Sequence, residues 1–127
     1  MIAGIGVDII TMRRLDQSLA FEDPFVCRTF TEGELAEARR SRDPARFLTS
    51  RFACKEAVFK CLKINGNSVR LKEIDIRTSE IGYPTVALRG NLKKYAEERG
   101  IVSIEVSLSH EDEYVVAFAA AQTDSPK

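Results

Sequence analysis

The stretch from Leu48 to Leu62 constrains this chain most, because a helix there has no ordinary solvent face. At roughly 100° of rotation per residue, Leu48, Phe52, Phe59 and Leu62 fall within one arc of about 80°, with Val58 beside it. Ser50, Ala53, Cys54, Ala57 and Cys61 gather on the opposite side, where small side chains admit close approach of another element. A helix apolar on both sides is an internal one. Yet the same turns carry Arg51, Lys55, Glu56 and Lys60. Arg51 and Lys55 project within or beside the bulky arc, and Glu56 and Lys60, spaced i,i+4, share the seam between the faces. Unpaired buried charges are costly, so these four are expected to line a cleft that binds something ionic. The competing interpretation makes Glu56 and Lys60 one helix ion pair contributing only ~0.3–0.5 kcal/mol.

Local signals place this helix in an α+β framework. Asp43 and Pro44 are an N-cap and first-turn proline, so the helix is expected from about Ala45 to Lys63, stopping near Asn65-Gly66. Thr31 and Glu34 have capping-box spacing ahead of a helix at Leu35–Arg40. Ile2–Ile10 reads as a buried strand with aliphatics on both faces, and Gly4 and Gly6 suggest close approach of another backbone. Asp8 is the anomaly in that run: a hydrogen-bonded structural group or a ligand for something positive. Thr11–Leu19 is expected to form a short helix, with Arg13 and Arg14 at its start, where the dipole disfavours cations. They are either a solvated face or a contact for an acidic partner.

Beyond residue 68 the apolar period becomes two. Ile74-Asp75-Ile76 and Thr85–Leu88 form a hairpin across Ser79–Pro84. Asn91 is expected to cap a helix at Leu92–Arg99, ended by Gly100. Val102, Ile104, Val106 and Leu108 mark a half-buried strand, His110–Glu113 a turn, and Tyr114–Ala121 the returning strand. The expected architecture is one α+β domain over residues 1–122, an antiparallel sheet packed with a long central helix, and a frayed tail at 123–127.

The composition excludes several function classes. Nineteen basic and 19 acidic residues cancel, so bulk electrostatic capture of nucleic acid is not expected. No apolar run approaches the ~20 residues of a membrane span. Met1–Ile10 lacks a basic flank and contains Asp8, so no signal peptide is expected and the protein is assigned to the cytosol. Cys27, Cys54 and Cys61 are odd in number and show no CxxC spacing, which reads as reduced packing residues without zinc. No P-loop or GxGxxG pattern is present. If the first strand packs beside the long helix, Asp8 and Glu56 converge into a carboxylate pair suited to Mg²⁺, with Arg51, Lys55 and Lys60 beside it for a phosphate-bearing substrate. His110, the only histidine, is a turn residue or a third polar contributor to that site.

Gly6-Val7-Asp8-Ile9-Ile10 with Arg14, Phe30-Thr31-Glu32-Gly33-Glu34, the run from Arg51 to Lys60, Gly82-Tyr83-Pro84 and Ser107-Leu108-Ser109-His110 occur in order. Together they resemble the blocks of holo-acyl-carrier-protein synthases, the small members of the 4′-phosphopantetheinyl transferase superfamily. The resemblance spans residues 2–121. It implies transfer of the 4′-phosphopantetheine arm of coenzyme A to a serine of apo-acyl carrier protein, releasing adenosine 3′,5′-bisphosphate, in fatty-acid or polyketide synthesis.

It also implies Asp8 and Glu56 as Mg²⁺ ligands, Lys60 beside the diphosphate, and Glu56 as base for the acceptor serine. Arg51, Lys55 and His110 are implied to help hold coenzyme A, and Arg14, with Arg13, to meet the acidic carrier protein. A homotrimer with sites at subunit interfaces is implied too, in which Asp8 and the long helix need not meet within one chain and the small-residue helix face serves subunit packing. Three departures stand out: Thr11 where many relatives are acidic, Cys54 for alanine, and Lys63–Ser68 in place of a glycine-threonine-glycine loop near the coenzyme. The rivals are a non-catalytic carrier-binding trimer and a Mg²⁺-dependent phosphohydrolase.

Overall fold

A computed structural model describes residues 1–15, 22–64 and 70–124. Strand β1 (Ile2–Thr11) leads to helices α1 (Pro24–Thr29), α2 (Glu32–Arg40) and α3 (Pro44–Cys61). A 3₁₀ turn at Leu71–Glu73 precedes β2 (Ile74–Thr78) and β3 (Pro84–Leu88), followed by α4 (Gly90–Glu98), β4 (Ile101–His110) and β5 (Tyr114–Thr123). The strands form an antiparallel sheet ordered β1-β5-β4 and a separate β2-β3 hairpin. No helix is long and apolar enough to cross a membrane among the described residues.

The helix starts follow their caps. Asp23 accepts the Phe25 amide at 2.8 Å, and Asp43 accepts that of Arg46 at 3.2 Å, each ahead of a proline that needs no amide partner. At α2 the Thr31 hydroxyl accepts the Glu34 amide at 3.2 Å while the Glu34 carboxylate accepts the Thr31 amide at 2.8 Å. Helix α3 ends earlier than expected, at Cys61, and Lys63 takes the left-handed conformation with φ 56°. The predicted stop signal, Asn65-Gly66, lies outside the described residues. At α4 the cap is not Asn91, which sits inside the helix. The Glu73 carboxylate, far away in sequence, accepts the Leu92 amide at 2.9 Å instead.

The predicted helix at Thr11–Leu19 does not begin there. Thr11 closes β1, and Met12–Leu15 turn, because the Met12 amide donates to the Glu113 carbonyl at 2.8 Å and extends the pairing with the far end of the sheet. The remainder of that segment, from Asp16, lies outside the described residues. Thr123 belongs to β5 rather than to a tail, its amide donating to the Met1 carbonyl at 2.8 Å; residues 125–127 are not described. Val102 is turned outward by a register irregularity between Ile101 and Ser103, whereas Ile104, Val106 and Leu108 pack on the core as predicted.

The inner face of the sheet is built from the smallest residues available. On β5, Ala117, Ala119 and Ala121 are fully buried, and they pair with Asp8, Gly6 and Gly4 of β1. Helix α3 lies on this floor through Ala57 and Cys61. A Cβ added at Gly4 would stand 2.1 Å from the Cys61 carbonyl oxygen, and one at Gly6 would stand 2.1 Å from that of Ala57. The close approach read from the glycines is therefore real, and its partner is the small-residue face of α3. That stretch of helix is covered by the chain's own strand, not by another subunit.

The opposite face of β1 departs from the predicted double burial. Ile5, Val7 and Ile9 are 58%, 55% and 64% exposed, and Phe118, beside Val7 on β5, is 44% exposed.

Substituting Gly6 with Ala forces β1 off α3 and is expected to cost ~1–3 kcal/mol or more of unfolding free energy in urea titration. Gly33→Ala, where the nearest atom would be 3.9 Å away, is expected to leave stability unchanged or raised. Equal effects at the two positions would contradict the packing argument.

Candidate active site

The glycine contact places Asp8 beside the seam of α3. The Lys60 ammonium donates to Asp8 Oδ1 at 3.1 Å and to the Val7 carbonyl at 3.0 Å. Lys60 thus bridges to β1 and is not simply the i,i+4 partner of Glu56. Its side chain is 51% exposed, so it stands at the cleft mouth, whereas that of Asp8 is 13% exposed. The second oxygen, Asp8 Oδ2, is buried with no hydrogen-bond partner among the described residues. Half-buried Glu56 has its pKa raised above the usual carboxylate value, first by burial and then by the Asp8 charge, while Lys60 and Arg14 pull it back.

One chain therefore assembles Asp8, Glu56 and Lys60. A buried carboxylate oxygen without a donor, next to a second carboxylate, is a donor set that wants a cation. Among the described residues no three acidic, histidine or cysteine side chains form a full metal cage. Two carboxylates completed by water and substrate oxygens suit Mg²⁺, which retains hydration and seldom takes an all-protein shell. The residues present fit that ion.

Arg51 is 7% exposed, with its guanidinium 4.3 Å above the Phe47 ring. It donates to Thr78 Oγ1 at 2.8 Å and to Ser50 Oγ at 3.4 Å, and its Nε is buried without a partner among the described residues. No carboxylate lies within ion-pair distance of it among the described residues. A stacked, desolvated guanidinium with unused donors retains capacity for an anion.

Lys55 differs, and the expectation that it faces a ligand is corrected. Its ammonium is fully buried, 2.8 Å from Glu34 Oε1, and donates to the Leu71 carbonyl at 3.0 Å and to that of Ile74. Its three donors are thus occupied inside the protein. Burial pushes the Lys55 pKa down and the Glu34 pKa up, and the opposite charge of each partner counteracts the shift. Glu34 Oε2 also accepts the Ile76 amide at 2.7 Å, so one carboxylate joins α2, α3 and β2. In the sequence Glu34 reads only as a cap; the lysine within the apolar arc of α3, which needs a counter-ion if enclosed, is the signal that points to it.

Asp75, buried on β2 and likewise unforeseen, extends this network. Thr31 donates to its Oδ1 at 2.8 Å, and Arg77 and Arg89 each reach Oδ2 at 2.7 Å. Burial alone would raise the Asp75 pKa, but these hydrogen bonds and charges hold it below the usual carboxylate value.

His110 is not in the cluster. It ends β4, exposed, opposite Val115, which pairs in turn with Ile10. Two strand spacings, about 10 Å, separate its backbone from β1. Arg14 lies over the Phe52 ring at 5.5 Å, and that ring packs on Phe25 with centroids 5.9 Å apart. Arg13 is exposed nearby. Cys54 and Cys61 are buried packing residues whose thiols burial pushes up to about 12 and about 11; Cys27 departs from that prediction by being exposed.

The fold and this cluster agree with comparisons to known proteins. Residues 4–119 match the 4′-phosphopantetheinyl transferase superfamily. A holo-[acyl-carrier-protein] synthase of Natranaerobius thermophilus is 37% identical over 125 residues, covering 98% of this chain and 100% of the relative. The crystal structure of holo-[acyl-carrier-protein] synthase from Neisseria meningitidis is 35% identical with TM-score 0.83, covering 97% of this chain and 100% of that one. A holo-(acyl-carrier-protein) synthase from Bacillus anthracis, solved in complex with CoA (3′,5′-ADP), is 28% identical with TM-score 0.77, covering 98% and 99%. The chain belongs to the 4′-phosphopantetheinyl transferase superfamily, among its holo-[acyl-carrier-protein] synthases.

Replacing Lys55 with Met leaves Glu34 charged and buried, and is expected to cost ~3–5 kcal/mol in chemical denaturation. Adding Glu34→Gln should recover a substantial part of that loss. A double variant as unstable as the single one would contradict the pairing.

Proposed function

We propose that the Asp8–Glu56–Lys60 cleft is where this chain performs the transfer of its family. The 4′-phosphopantetheine group of coenzyme A passes to a serine hydroxyl of apo-acyl carrier protein, giving holo-carrier and adenosine 3′,5′-bisphosphate. The observation that carries this assignment is the orphaned Asp8 Oδ2 beside Glu56 and Lys60, in a chain of this family.

The serine oxygen attacks the phosphorus that bears the pantetheine arm, and the bond from that phosphorus to the oxygen bridging to the nucleotide breaks. Glu56, its basicity raised by burial, takes the serine proton. Lys60, half exposed at the cleft mouth, neutralises the charge that develops on the departing bisphosphate. Asp8 and Glu56 would hold Mg²⁺, which when bound supplies Lewis-acid neutralisation at the diphosphate. Arg51, a buried guanidinium with no carboxylate partner among the described residues, takes a further coenzyme phosphate. Arg14 and Arg13 meet the carrier, and the reaction serves carrier-dependent fatty-acid or polyketide synthesis in the cytoplasm.

His110, remote from the cluster in its own chain, contributes from a neighbouring subunit of a trimer. The exposed apolar stripe of Ile5, Val7, Ile9 and Phe118 is the surface that supports such an assembly, since contiguous apolar patches mark interfaces. Val7→Lys is expected to shift the sedimentation mass from trimer to monomer and to depress transfer. A wild-type monomer with full activity would overturn the trimer.

The transfer itself is tested by mass spectrometry of apo-acyl carrier protein after incubation with the protein, coenzyme A and Mg²⁺. A phosphopantetheine increment is expected, and Glu56→Gln should lower its rate at least ~100-fold while the fold is retained. Release of phosphate without acceptor, or carrier binding without any mass change, would refute the assignment. An unchanged rate in the variant would remove Glu56 from the site.

A further inference from the structure

A hollow of about 640 Å³ opens between the turn after β1, the start of α3 and the β4–β5 turn. Three arginines enter it, Arg13, Arg14 and Arg46, together with Asp43 and Asp112. Arg46 was not singled out by its sequence context, and it occupies the first turn of α3, where the helix dipole disfavours a cation. Its guanidinium donates to the Asp112 carbonyl at 3.3 Å, and its other donors have no partner among the described residues. Asp43 and Asp112 offset part of that charge, leaving three cations to two anions around the hollow, but neither carboxylate forms a salt bridge with an arginine among the described residues. The Asp43 carboxylate is engaged as the N-cap of α3, and Asp112 meets Arg46 through its backbone carbonyl. Glu111 and Glu113 line a separate concavity with Asp112 and Tyr114. The hollow thus keeps an excess of positive charge whose guanidinium donors are not tied to carboxylates among the described residues, a surface suited to an anionic partner.

The position of the hollow indicates which substrate that partner belongs to. Arg14 reaches from it over the ring of Phe52, which lies one turn before Glu56 on α3. Through Arg14 the hollow adjoins the turn of α3 that leads to Glu56, whereas Arg51, the residue proposed for the coenzyme, lies against Phe47 and Thr78.

The geometry points to Arg46 as a carrier-recognition residue: with Arg13 and Arg14 it forms a three-arginine dock for a negatively charged surface of the acceptor protein. The inference rests on the proposed transfer and extends it to a residue and a chain segment outside the carrier contact at Arg13 and Arg14. It places part of the recognition surface on the same helix as Glu56, so docking and base are carried by one rigid element.

The experiment is steady-state transfer to an apo-acyl carrier protein of fatty-acid synthesis, with coenzyme A and carrier varied separately. Arg46→Gln keeps an amide donor for the Asp112 carbonyl and removes the charge. It is expected to raise the carrier KM about threefold, and Arg46→Glu about tenfold or more, with the coenzyme A KM unchanged and Arg46→Lys close to wild type. The wild-type carrier KM should rise with salt, less steeply in Arg46→Gln. Unchanged carrier KM in both charge variants would overturn the proposal. So would a rise confined to the coenzyme A KM, which would make the hollow a phosphate subsite. Equal loss in Gln, Lys and Glu variants would assign Arg46 to holding the turn and likewise overturn it. Failure of the wild type to modify the carrier at all would refute the transfer assignment instead, so the two failures are distinguishable.

Discussion

The contact on which the site depends is the one made without side chains, where Gly4 and Gly6 of β1 lie against the Ala57 and Cys61 backbone of α3. Ordinary strand-to-helix packing inserts a layer of side chains between the two backbones. Here that layer is absent on both partners, because glycine and alanine pair across β1 and β5 and the helix offers its small face. Asp8, two residues beyond Gly6, is thereby carried into reach of the Lys60 ammonium. A bulkier residue at either glycine would move the carboxylate away from its partners as well as loosen the core. The packing economy of the interior and the assembly of the chemistry are the same feature.

Four charged residues on one helix meet three different fates, and burial explains each. Lys55 is enclosed and satisfied by Glu34 and two carbonyls, so it ties α3 to α2 and β2. Arg51 is nearly as buried, but among the described residues it has hydroxyl partners and an aromatic plate without a counter-charge, which leaves it able to take an anion. Glu56 and Lys60 stand at the rim, close to Asp8, where a proton or a phosphate can reach them. The buried pair gives the helix a rigid base from which the rim residues project, an arrangement suited to a preorganised site.

Much of the framework was legible in the chain because its signals are local. Asp43-Pro44 and Thr31 with Glu34 start helices through amides only a few residues away, and the alternation at Ile104, Val106 and Leu108 records which side of a strand is wet. The unread features are those whose partners are remote. Asn91 has the composition of a cap, but Glu73 supplies the bond. Met12 begins what looks like a helical repeat, yet Glu113 captures its amide. Val102 fits the alternation until a bulge turns it out. Lys55 looked like a ligand contact because periodicity registers a charge within an apolar arc without saying whether a counter-ion waits inside. Asp75 and Glu34 are hidden in the same way, since their partners lie on other elements.

By itself, then, the sequence determined the long helix with two faces to bury, the strand thinned by glycines, and the ordered blocks that mark the transferase family. The helix and the strand follow from residue volume, spacing and local hydrogen bonding, which act within a few positions along the chain, whereas the blocks mark the family by resemblance alone. Only the tertiary structure decided that Asp8, Glu56 and Lys60 come together in one chain, that Lys55 belongs to the interior, that His110 stands apart, and that Arg46 joins Arg13 and Arg14 around one hollow. Those outcomes depend on distances between segments tens of residues apart. Such distances are set by how closely backbones can pack, and no local pattern carries that information.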